Sequence, residues 1–85
     1  MIKEFKIQDW MTSKTGLNGN TLVLFAILWK MSDNGTRPVT VDYKEIRPLM
    51  GVTTPTFYNA MQILGKHKVI TQLEDGQYAI NIKCS

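Results

Sequence analysis

His67 and Cys84 are the only histidine and the only cysteine in the chain, and neither has the company that makes a reactive site. A transition-metal site needs several such ligands at close spacing, and His67 stands alone between Lys66 and Lys68. No serine or cysteine accompanies it together with a carboxylate, and no Gly-x-x-x-x-Gly-Lys run is present to cradle a phosphate. These residues point to no enzyme, no metal, no cofactor and no small-molecule substrate. Cys84, beside the C-terminus, reads as a free thiol without a role.

Charge is more informative. Ten Lys and Arg against seven Asp and Glu give +3. Within residues 37–71, Arg37, Lys44, Arg47, Lys66 and Lys68 stand against Asp42 and Glu45, five minus two, so that segment carries the whole excess. A cationic stretch of this kind is compatible with a polyanion partner. It is equally what helix electrostatics asks for at Lys66 and Lys68, which fall where a helix C-terminus welcomes positive charge.

The elements that must position these residues share one small domain. At 85 residues there is room for a single core and none for a deep enzyme pocket. The longest apolar run, residues 22–29, is far short of the roughly 20 residues that cross a bilayer. The start, Met1-Ile2-Lys3-Glu4-Phe5-Lys6, alternates charge and hydrophobe and is not a secretory signal, so a cytoplasmic protein is expected.

Residues 1–16 read as an N-terminal arm, with one helical turn over 8–13. After a Gly/Asn-rich turn, residues 21–32 are apolar nearly all round, which predicts a buried central helix closed by Asp33-Asn34-Gly35. Residues 37–41 form a short edge strand, since Pro38 cannot donate to a ladder. Asp42 and Glu45 have capping-box spacing and open a second helix over 43–50, which Pro48 shortens or kinks and Gly51 ends. Thr53 then caps a third helix over 54–66 with Phe57, Ala60, Met61 and Leu64 inward. Its other face is Thr54, Pro55, Thr56, Tyr58, Asn59 and Gln62. Asp75-Gly76 lies between two alternating runs and predicts a hairpin pairing Leu73 with Tyr78, Thr71 with Ile80 and Val69 with Ile82. That register turns Ile70 and Gln72 to the outer face.

Two helices joined by a tight glycine turn and followed by a hairpin resemble a winged helix-turn-helix. The residues carrying the resemblance are Met50-Gly51-Val52-Thr53, which end one helix and start the next, then the run to Leu64 and the strand start Val69-Ile70. The stretch Leu17-Asn18-Gly19-Asn20-Thr21-Leu22 looks like the opening of the first helix in phage and plasmid replication-initiator or regulator domains of this class. The resemblance covers residues 17–83. It implies an α+β fold with a three-helix core, a C-terminal β-hairpin wing and a short edge strand before the second helix, occupying residues 17–85.

It also implies a partner, double-stranded DNA, with the third helix in the major groove. Thr54, Pro55, Thr56 and Tyr58 would meet phosphates or base edges, Asn59 and Gln62 would each pair with adenine, and Lys44, Arg47, Lys66 and Lys68 would neutralise phosphates. Such domains act as transcriptional regulators or as the DNA-recognition part of replication initiators. A homodimer reading two half-sites is a further expectation, with Phe5, Ile7, Trp10 and Met11 of the arm as its contact; their bland role is to cap the core. The competing class is a protein-interaction module on the same fold, such as a phage-encoded inhibitor. An acidic wing tip, Glu74-Asp75, and a third helix without Lys or Arg before Lys66 suit that alternative.

Overall fold

In the computed structural model, which describes Ile7 and residues 9–81, the buried centre is the helix the apolar run predicts. This is α2, Gly19–Met31, preceded by α1, Asp9–Thr15. Leu24, Phe25, Ala26, Ile27, Leu28 and Trp29 are all buried, so α2 has almost no solvent face. It ends where three successive residues, Asp33, Asn34 and Gly35, adopt positive φ. Ser32, fully buried, stitches that turn: its hydroxyl donates to the Trp29 carbonyl at 2.9 Å and accepts from the Gly35 amide at 2.8 Å.

The chain then runs through β1, Val39–Thr40, into α3, Tyr43–Met50, and α4, Thr54–Lys66, and closes with β2, Ile70–Glu74, and β3, Gln77–Ile80. The described residues thus form an α+β fold of four helices and a three-stranded antiparallel sheet in the order β1-β3-β2. The Asp42 carboxylate caps α3 by accepting from the Lys44 amide at 2.9 Å. Pro48 sits inside α3 without ending it. Gly51 at φ 69°, ψ 32° makes the left-handed step between α3 and α4, which a side chain resists and glycine does not. No helix among the described residues is long and apolar enough to cross a membrane.

The helical arm is larger and better anchored than its sequence suggests. In α1, Met11 is fully buried. The Trp10 ring packs edge-on to Phe25 and Trp29, with centroids 6.0 and 4.7 Å away. Ile7 remains 46% exposed, and Phe5 lies outside the described residues. The far end of α1 is tied to α4: the His67 imidazole Nδ1 is 3.1 Å from the Thr15 carbonyl. A carbonyl only accepts, so Nδ1 carries the proton and donates. The lone histidine is a tether between two helix ends.

The hairpin keeps its two-residue Asp75-Gly76 turn, with Glu74 opposite Gln77, but the expected register fails one step later. Leu73 bulges out, so Gln72 pairs with Tyr78, Thr71 with Ala79 and Ile70 with Ile80; Ile82 lies outside the described residues. Because side chains alternate along a strand, this one-residue slip exchanges the two faces of β2. Ile70 turns inward and is only 6% exposed, while Leu73 is left 50% exposed. Val39, Tyr78 and Gln72 stand in one row across the sheet.

Candidate nucleic-acid interface

A helix advances about 100° per residue, so positions i, i+4, i+7 and i+11 return to one side. On α4 those positions are Pro55, Asn59, Gln62 and Lys66, and all four are exposed. Phe57, Ala60 and Leu64 occupy the opposite side and are buried. Nothing in the described chain covers the polar stripe, which runs about 16 Å along the axis at 1.5 Å per residue. Thr54 and Thr56 flank it, half-buried.

The first turn of α4 leaves its amides without a side-chain acceptor. Thr53, the N-cap, makes no capping hydrogen bond; its hydroxyl lies instead 3.0 Å from the Thr56 hydroxyl. Pro55 removes one donor from that turn, and the remaining amides point away from the helix with its positive dipole end.

The four cations expected at phosphates fall into two groups. Lys44, Lys66 and Lys68 are exposed. Arg47 is half-buried: its Nη1 donates to the Val52 carbonyl at 3.1 Å, bracing the α3–α4 turn, and its Nε is buried without an acceptor among the described residues. The guanidinium is therefore mainly a strap inside the turn. It reaches Val52 because the left-handed Gly51 folds that carbonyl back toward α3.

Tyr58 leaves the stripe on the other side. Half exposed, it packs against Tyr43 of α3, centroids 5.9 Å apart, and against Phe57 at 5.5 Å. With Met61 it forms one wall of a groove between α4 and the hairpin, and Gln72 and Tyr78 form the other wall. Gln62 stands at the rim of this groove, so of the two amide side chains only Asn59 is wholly on the outer stripe. Tyr43, Gln72 and Tyr78 were not legible as site residues. They converge only through the α3–α4 crossing and the Leu73 bulge, and neither leaves a spacing signal within one segment. Among the described residues no group of His, Cys, Asp and Glu forms a metal cluster.

Comparison with protein-family models, curated proteins and solved structures finds no match to this chain.

Proposed function

We propose that this chain is a small winged helix-turn-helix module that binds double-stranded DNA, as a transcriptional regulator or as the recognition part of a replication initiator. The order helix, strand, helix, turn, helix, hairpin supports the fold assignment. The observation that carries the functional reading is the uncovered stripe Pro55, Asn59, Gln62 and Lys66, set opposite the buried Phe57, Ala60 and Leu64.

A helix with its hydrophobes fully engaged on one side and amides free on the other fits the major groove, about 12 Å wide. Asn59 and Gln62 are the residue types that pair with adenine through two hydrogen bonds. The amides of the first α4 turn favour a phosphate at that end, and Lys44, Lys66 and Lys68 supply the sequence-independent attraction. Docking is the whole mechanism; no bond is made or broken.

Selection of duplexes from a random pool by the full chain, at two salt concentrations, tests this. The expected result is enrichment of a short motif containing adenine steps. A pool that stays random at both concentrations contradicts it.

A further inference from the structure

Two cavities, of about 340 and 360 Å³, lie between α4 and the hairpin. They share Tyr58, Met61, Gln72 and Tyr78 in their walls and so run into one groove. Tyr43 closes it on the α3 side, in ring contact with Tyr58. Three tyrosines thus converge from three separate elements on one concave surface, and one of them, Tyr58, stays half exposed.

Asp75 is the one charged residue in the walls of this groove among the described residues. The Val41 amide donates to the Gly76 carbonyl at 2.7 Å, clamping the hairpin tip against the strand that leads into α3. That clamp holds the Asp75-Gly76 tip at the end of the groove nearest Tyr43. Asp75 is exposed. A carboxylate in the wall favours a cation over a phosphate at that point, and tyrosine ring faces attract cations.

We infer that this groove docks a basic peptide segment of a partner protein, seating an arginine or lysine side chain among Tyr43, Tyr58 and Tyr78 with its charge toward Asp75. The cation gains the ring faces and the carboxylate together, while its aliphatic stem lies along Met61. The inference is independent of DNA binding, because the outer stripe of α4 and this groove present different residues, Gln62 at the shared rim excepted.

The test is an NMR titration of the full chain at low salt with N-acetyl-arginine amide, read at the tyrosine rings and the Gly76 amide. N-acetyl-citrulline amide is the neutral isostere. The expected result is saturable shifts at Tyr58 and Tyr78 with the arginine probe, about fivefold weaker with citrulline. Asp75→Asn, at an exposed turn position, should weaken the arginine probe by a similar factor while leaving remote amide shifts unchanged. Tyr58→Leu, which keeps bulk but removes the ring, should also weaken it. Equal response to both probes, or shifts centred on Asn59 and Lys66, overturns the inference. Concentration-dependent self-association that shifts the same rings without any probe also overturns it, assigning the groove to a second copy. The probes carry no phosphate, so failure here leaves the duplex reading untouched, and failure of duplex binding leaves this one untouched.

Discussion

The Nη1 of Arg47 donates to the carbonyl of Val52 at 3.1 Å, five residues on and across the left-handed step at Gly51. A side chain of α3 thereby braces the turn from which α4 leaves. Arg47→Ala should lower stability by about 1 kcal/mol, the loss of a charged hydrogen bond being partly offset by release of the unpartnered Nε. Lys44→Ala, at an exposed position, should change stability by less than about 0.5 kcal/mol. Urea denaturation of both variants checks this, and equal effects would mean the strap contributes nothing.

Gly51 has open space around the site a Cβ would occupy. Its φ of 69° is therefore the sole obstacle to substitution. Gly51→Ala should cost about 1 kcal/mol and Gly51→Asn less, since asparagine tolerates the left-handed region better. Thermal melts of the pair give the order directly; alanine as stable as asparagine would contradict it.

Trp10 ties α1 to α2 through its edge-on contacts with Phe25 and Trp29. Trp10→Ala should cost about 3 kcal/mol, a large share of what a domain of this size possesses. The same denaturation series reads it. A loss below about 1 kcal/mol would mean that α1 is dispensable.

The sequence is read most successfully where one segment carries its own signal. Asp42, Gly51 and the spacing of Phe57, Ala60 and Leu64 place α3, the turn and α4 as observed, because caps, left-handed glycines and helical periodicity are local properties. Thr53 stands at the expected start of α4, but its hydroxyl bonds Thr56 and does not cap. The central helix and the Asp75-Gly76 turn are legible for the same reason. What fails is non-local. The slip at Leu73 has no marker in the alternating pattern, yet it reverses the faces of β2 and brings Ile70 inward. Arg47 looks like any surface cation until Gly51 turns the Val52 carbonyl toward it. Tyr43, Tyr58 and Tyr78 are 15 and 20 residues apart along the chain and meet only through tertiary packing.

Asn59 and Gln62 are exposed and make no hydrogen bond within the described chain that would be lost on truncation. Asn59→Ala and Gln62→Ala should leave stability within about 0.5 kcal/mol of the parent. Each should reduce discrimination between preferred and altered duplexes by about 1–3 kcal/mol, whereas Lys66→Ala should weaken all duplexes alike. Competition binding against single-base variants separates these cases. Equal losses on every sequence from all three substitutions would remove base reading from α4.

The most direct measurement is a salt titration of duplex binding by the full chain. With Lys44, Lys66 and Lys68 as the expected phosphate contacts and Arg47 held in the turn, log K should fall linearly with log salt. The slope should be about −0.9 for each phosphate contacted, or about −2.7 in all. Each lysine-to-alanine change should bring it about 0.9 nearer zero. Absence of any bound duplex at low salt and micromolar protein, or a slope indifferent to all three lysines, would contradict the account.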